Sequence, residues 1–142
     1  HFTLVGPIGI EFSQLKLSPN VSMVGKKKHD DVKRYMDDAD AFIFPSYTEG
    51  FSNALLEAMY SGLPVIASDV GANRDMIEDK GGIIVPVKNV EKIAEALDFF
   101  NAAEIRRKMS GWNINKVERN YSKERVMGKI ADIYTEILTK PN

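Results

Sequence analysis

Five short β-prone apolar runs, separated by amphipathic stretches, constrain this chain more than any other feature. They are Phe2-Thr3-Leu4-Val5, stopped by Gly6-Pro7; Val21-Ser22-Met23-Val24, ending at Gly25; and Ala41-Phe42-Ile43-Phe44, stopped by Pro45. Pro64-Val65-Ile66-Ala67 follows, with Pro64 tolerated at a first strand position, then Gly82-Ile83-Ile84-Val85, closed by Pro86. The third and fourth runs are apolar on both faces. Such strands need cover on both sides, as parallel strands between helices have.

The intervening segments carry helical periods. Residues 31–38 set Val32, Tyr35 and Met36 at i, i+3, i+4, with His29 ahead of a cap at Asp30, and residues 53–60 are rich in Ala, Leu and Met. Asn89 caps residues 90–100, where Ile93, Ala94, Leu97 and Phe100 or Phe99 line one face. Residues 103–120 read as a helix with a weakness near Gly111. Ser122 caps a final helix whose stripe is Val126, Ile130, Ile133 and Ile137. Trp112 and the six Met read as core or interdomain packing. Strand–helix alternation with short joints predicts an α/β fold: a Rossmann-like parallel sheet with helices on both faces.

Composition narrows the chemistry. The 142 residues fit one domain with a real core. Nineteen Lys and Arg against twenty Asp and Glu leave a net charge of -1, so no global field draws the chain onto nucleic acid. With no Cys, disulfides, thiol catalysis and Cys-ligated metals are excluded, and a reducing, cytoplasmic setting fits. Two His, His1 and His29, offer no zinc motif, so the expected metal is none. No leader is expected, and no apolar run approaches the ~18 residues of a membrane span.

Ligands in open α/β sheets bind beyond the carboxyl ends of the strands. The most informative loop there is Pro45-Ser46-Tyr47-Thr48-Glu49-Gly50-Phe51-Ser52-Asn53-Ala54-Leu55-Leu56-Glu57. A strand stops, the chain turns at Gly50, and a helix opens near Ser52 or Asn53. Free amides and the helix dipole there suit phosphate or sugar oxygens. Glu49 and Glu57 are placed to face one crevice. In a chain with ten Glu that spacing arises readily by chance, and a loop charge with a solvent-facing helix residue is the plain alternative. After the second strand, Gly25-Lys26-Lys27-Lys28-His29 offers either a base or phosphate contact or a solvated basic turn. Asp69 to Arg74 edges the crevice after the fourth strand, with a substrate role for Arg74 poorly supported. Gly6-Pro7-Ile8-Gly9 is not a dinucleotide fingerprint, and the segment after it is too short and irregular to be that motif's helix.

Several of these motifs stand together and in order: Leu4-Val5-Gly6, Val24-Gly25, Ala39-Asp40 through Phe44-Pro45-Ser46, the block from Glu49 to Met59, Gly62-Leu63-Pro64-Val65-Ile66-Ala67-Ser68-Asp69, and Gly71. Gly81-Gly82, Val85-Pro86 and a final helix with Ile133-Tyr134 follow in register. In this the chain resembles the carboxyl-terminal, donor-binding domain of glycosyltransferase family 4, retaining nucleotide-sugar transferases with the two-domain GT-B fold. The resemblance implies that Glu49 contacts the donor sugar near the reacting centre and Glu57 accepts hydrogen bonds from the ribose hydroxyls. It implies that the amides of Gly50, Phe51, Ser52, Asn53 and Ala54 bind sugar hydroxyls and diphosphate, and that Lys26 lies near the base. A carboxylate accepts two hydroxyls at once, which suits a vicinal diol, and helix-start amides stabilise a departing diphosphate without a metal or cofactor.

Two parts of that family's pattern are missing: the amino-terminal acceptor domain, and the donor domain's first strand–helix unit with its phosphate-binding Arg and Lys. Residues 1–142 therefore read as a nucleotide-sugar binding domain, a fragment of a two-domain enzyme, with its sheet order open because the family's first strand is central. The expected parent moves a hexose from a nucleotide diphosphate sugar to a saccharide or lipid-linked acceptor. Any membrane-surface association would come through the missing part, where the final helix would also pack. The isolated chain is expected to be inactive. The alternatives are a GT-B-related epimerase or phosphorylase, though no acid/base cluster for an epimerase is visible, and a regulatory or interaction module. A receiver-like module would need an Asp where Pro45-Ser46 follow the third strand.

Overall fold

A computed structural model describes residues 1–9 and 16–140. The segment after Gly9 falls largely outside the described residues. The chain divides into two compact units, His1–Asp38 and Ala39–Asn142. In the first unit, β1 (Phe2–Val5) and β2 (Val21–Gly25) pair in parallel, with a register shift between Leu4 and Val5. Helix α1 (His29–Asp37) follows, and Met36 is its buried residue. The expected Asp30 cap is not formed. The helix begins earlier, from an extended Lys28 whose carbonyl accepts from the Asp31 and Val32 amides at 3.0 Å each. Asp30 and Asp31 lie instead in the first turn, where carboxylates face the positive end of the helix dipole.

The second unit is built on a three-stranded parallel sheet in the order β3 (Phe42–Phe44), β4 (Val65–Ser68), β5 (Gly82–Val85). Phe42 stands opposite Val65 and Ala67 opposite Ile84, so the side-chain alternation of the strands is in phase. That phase sorts the apolar residues into two cores. On one face Phe42, Phe44, Val65, Ala67 and Ile84 meet Leu55 and Met59 of α2 (Asn53–Tyr60) and Met76 and Ile77 of α3 (Asn73–Ile77). On the other Ile43, Ile66, Ile83 and Val85 meet Ala96 and Phe100 at α4 (Val90–Phe99). Both faces of β4 are covered, as its sequence requires, and all four of its residues are buried.

Asn89 caps α4 by accepting from the Lys92 amide at 2.9 Å. The buried face of that helix runs Ile93, Ala96, Leu97, Phe100; Ala94 and Phe99 point out. Helix α3 was not expected. Helix α5 (Ala103–Tyr121) is continuous, and Gly111 makes no break in it. Gly111 lies on its exposed side, while buried residues on either side tie the helix down. Those anchors join different layers: Met109 enters the α4 core, and Val117 the core of α2 and α3. Between them the buried Asn113 donates from Nδ2 to the carbonyls of Leu63 at 2.7 Å and Gly81 at 2.8 Å, just ahead of β4 and β5. Gly81 admits that side chain because a Cβ there would collide with the Asn113 amide.

Helix α6 (Lys123–Thr139) is capped by Ser122, whose Oγ accepts from the Arg125 amide at 3.4 Å. Its apolar stripe is exposed throughout, Ile133 at 57% and Ile137 at 63%. Of the methionines, Met36, Met59, Met76 and Met109 are buried and Met127 is exposed, while Trp112 is partly buried against the first core. No helix among the described residues is long and apolar enough to cross a membrane.

Asn113 is the polar residue on which the amino-terminal edge of this sheet depends. Asn113→Ala strands the buried Leu63 carbonyl and leaves that of Gly81 with the Val65 amide at 3.2 Å, and we expect it to lower stability by about 1–3 kcal/mol in urea unfolding. Asn115→Ala, on the exposed side of the same helix, stays within about 0.5 kcal/mol of the parent.

Candidate functional site

The carboxyl ends of β3, β4 and β5 open onto three loops, and two of these are joined to each other. After β3 the chain passes through Pro45, Ser46, Tyr47, Thr48, Glu49 and Gly50 to the start of α2. Ser52 is buried and extended, and its Oγ accepts from the Leu55 amide at 3.2 Å while its carbonyl accepts from Leu56 at 3.1 Å. The helix opening expected near Ser52 or Asn53 is thus fixed with Ser52 as its N-cap. It takes up the third amide of the helix, leaving those of Asn53 and Ala54 without an intrahelical acceptor and aimed along the positive end of the dipole. Glu49 is half-buried in the loop, and Glu57, one turn into α2, is half-buried as well.

The β4 loop is stitched to this segment. The Ala72 amide donates to the Gly50 carbonyl at 2.9 Å. Gly71 makes the crossing possible: its φ is +52°, and a Cβ there would lie 2.6 Å from the Gly50 oxygen and closer still to the Glu49 oxygen. Within the β4 loop, Asn73 is fully buried and donates from Nδ2 to the Ser68 carbonyl at 3.0 Å, its Oδ1 having no partner among the described residues. Arg74 reaches back to Asp69 through two hydrogen bonds, 3.2 Å from Nε and 2.7 Å from Nη2, and also approaches Asp79 at 3.8 Å. The hydrogen bond to Arg74 holds the Asp69 carboxyl below its ordinary value. With the folded value lowered, the contribution of this pair is present above the ordinary carboxylate range and fades as pH falls through the lowered value. Arg74 is thus occupied in shaping the loop.

Two ring contacts complete the rim. Lys88, in the β5 loop at φ +61°, sits with its ammonium 5.3 Å from the centre of the exposed Tyr47 ring. Phe51 meets Tyr121, the last residue of α5, edge to face with centroids 5.4 Å apart. Burial raises the Tyr121 phenol above its ordinary pKa, with Asp75 adding to it, so the ring stays neutral at physiological pH.

The structure therefore brings Glu49, Gly50, Phe51, Ser52, Asn53, Ala54 and Glu57 onto one loop-and-helix start. Lys26 belongs to the other unit, where it is exposed directly after β2. Among the described residues no three His, Asp or Glu gather to hold a metal ion. Sequence reasoning passed over Tyr121, because the polar Asn113 interrupts the apolar stripe of Met109, Val117 and Tyr121 that would have marked its face.

Comparison with known proteins adds independent findings. The family described as "Glycosyl transferases group 1" matches residues 11–125. The amylovoran biosynthesis glycosyltransferase AmsK of Erwinia amylovora is 36% identical over 111 residues, 68% of this chain and 27% of that protein. The Escherichia coli UDP-Gal:alpha-D-GlcNAc-diphosphoundecaprenol alpha-1,3-galactosyltransferase is 26% identical over 144 residues, 96% of this chain and 37% of its own length. The crystal structure of Anabaena HepE in complex with UDP-glucose superposes with a TM-score of 0.81 at 18% identity, over 94% of this chain and 40% of that one. That likeness is one of fold. The chain spans about a quarter to two-fifths of the length of these relatives.

The crossing at Gly71 yields a direct test of how the two loops depend on each other. Gly71→Ala adds backbone strain of about 1–2 kcal/mol and forces the Glu49 and Gly50 carbonyls away. We expect thermal unfolding to show at least that loss, and amide exchange at residues 49–54 to rise above that in the rest of the sheet. Gly111→Ala, where a Cβ meets open space, serves as the control and is neutral to stabilising.

Proposed function

Because the chain belongs to the glycosyl transferases group 1 family, we propose that it is the nucleotide-sugar donor domain of a retaining hexosyltransferase. In this reading a protein of its relatives' length moves a hexose from a nucleotide diphosphate to a saccharide or lipid-linked acceptor. The observation that carries the proposal is the Ser52-capped start of α2 at the end of β3, backed by the Gly71 crossing. It presents the amides of Asn53 and Ala54 beside Glu49, with Glu57 one turn further on. The relatives' names support the substrate classes: CapM of Staphylococcus aureus is a capsular polysaccharide biosynthesis glycosyltransferase, and the galactosyltransferase takes galactose from UDP-Gal to a diphosphoundecaprenol-linked sugar.

The chemistry follows from these groups. Cleavage of the sugar–phosphate bond sends an electron pair and negative charge onto the departing nucleoside diphosphate. Amides already aimed at that charge stabilise it without reorganising, and the helix dipole adds to them. Positive charge develops at the anomeric carbon, where the Glu49 carboxylate stabilises it. Glu57 accepts both hydroxyls of the ribose. No metal or organic cofactor is assigned, since the amides meet the leaving-group charge. The protein works at the cytoplasmic side, with any membrane-surface contact made by other parts of the full-length protein.

A thermal-shift screen of the full-length protein with uridine, guanosine and adenosine diphosphates and their sugars tests the reading. A ligand at 100 times its Kd stabilises by ~2.7 kcal/mol, and no shift with any of them overturns the donor assignment. Sugar transfer persists in EDTA; strict dependence on added Mg or Mn counts against amide-based stabilisation.

The two glutamates differ in kinetic signature. Glu57 contacts the ribose equally in ground and transition states, so Glu57→Ala raises donor KM by about 10- to 150-fold, the equivalent of ~1.5–3 kcal/mol. Glu49→Gln keeps the shape and removes the charge, and lowers kcat more than it raises KM. Two folded variants with parental kinetics would falsify the assignment of the pair.

A further inference from the structure

The proposed donor loop is fixed within its unit by more than its backbone stitch to Ala72. Phe51, half exposed in that loop, rests edge to face on Tyr121, the rings 5.4 Å apart and inclined at 62°. Tyr121 is itself held by α5. It lies four residues beyond Val117 and eight beyond Asn113, on the same side of the helix. Val117 is packed in the core under β4, and Asn113 is bonded to Leu63 and Gly81 where β4 and β5 begin. Eight helical residues rise ~12 Å. The four residues of β4 advance ~13 Å. Helix α5 therefore runs the length of the sheet, tied to it where the strands start and touching the loop where they end.

We propose that Tyr121 is a positioning residue for the donor: its ring, fixed by α5, sets Phe51 and thereby the Ser52, Asn53 and Ala54 amides against the donor diphosphate. The inference rests on the donor-site reading above. Gly50, next to Phe51, gives the backbone wide freedom, so a loop without the ring contact keeps the Ala72 bond as its restraint while its helix-side amides shift. Preorganised amides lose much of their value when displaced by even an ångström. Neutrality of the phenol keeps the contact apolar across the working pH range.

The test uses the full-length protein and two probes, the nucleoside diphosphate that gives the largest thermal shift and the monophosphate of the same base. The diphosphate reaches the loop amides with its second phosphate, which the monophosphate lacks. Tyr121→Leu is expected to weaken the diphosphate about three- to tenfold and leave the monophosphate Kd unchanged. Phe51→Leu, on the exposed side of the contact and so the safer variant for folding, does the same. The double variant loses no more than either single one, and Tyr121→Phe retains parental affinity for both probes. Equal weakening of both probes, or losses in the two single variants that add in the double, overturns the positioning role and leaves the donor site intact. A parent that binds neither nucleotide overturns the donor-site reading itself, and this inference with it.

Discussion

Strand β4 has a polar backbone and no polar face, and the arrangement of the second unit follows from satisfying both conditions at once. Its amides and carbonyls are taken by β3 on one side and β5 on the other. Its side chains point alternately into two separate cores, Val65 and Ala67 into one, Ile66 into the other. Helices must then cover both faces, and parallel pairing requires each connection to cross over the sheet. The crossovers deliver α2 and α3 to one face, and α4, which follows the last strand, covers the other. They also bring the exit loops of all three strands to one edge. The site lies at that edge because a strand without a wet side leaves no other place for a polar loop.

At the edge itself, main-chain groups do most of the holding. The Gly50 carbonyl, the Ala72 amide and the absence of a side chain at Gly71 join the β3 and β4 loops. Arg74 and Asp69 pair with each other. Being exposed and screened, that pair adds shape to the loop more than stability. The opposite edge is secured by one buried amide, Asn113, which does for β4 and β5 what a further strand would do for their backbones. Helix α5 connects the two edges.

The strands and most helices were legible because their signals are local. The capped start at Ser52 and the cap at Asn89 can be read letter by letter, and the two-sided apolar runs announce a sheet with two covers. What escaped was either too short to show a period or set by packing that the local sequence does not fix. Five residues, Asn73–Ile77, are too few to show a helical period, and the first of them is a polar residue buried with its side-chain amide on the Ser68 carbonyl. The choice of Ala96 over Ala94 follows from where Ile66 and Val85 stand, which the period of α4 alone does not fix. Gly111 reads as a weakness in isolation and is harmless in a helix anchored at Met109 and Asn113. For the site, the spacing of Glu49 and Glu57 says little by itself. The surrounding motifs carried the resemblance, and the family match then reached 115 residues, 11–125. Tyr121 was hidden because Asn113 breaks the stripe that leads to it and its partner Phe51 is seventy positions away.

Helix α6 differs from everything just described in that none of its residues is buried. Val126, Met127, Ile130, Ile133, Tyr134, Ile137 and Leu138 are all at least two-fifths open to solvent. Among the described residues its order draws on a Ser122 cap, backbone bonds, the Thr135 and Thr139 hydroxyls bonded within the helix, and the Lys140–Glu136 surface ion pair. Helices of that length are marginal in water when no packed face supports them. The second unit is thus expected to run on two clocks: the amides of β4 exchange when the whole sheet opens, and those of α6 exchange on their own, many times for each global event.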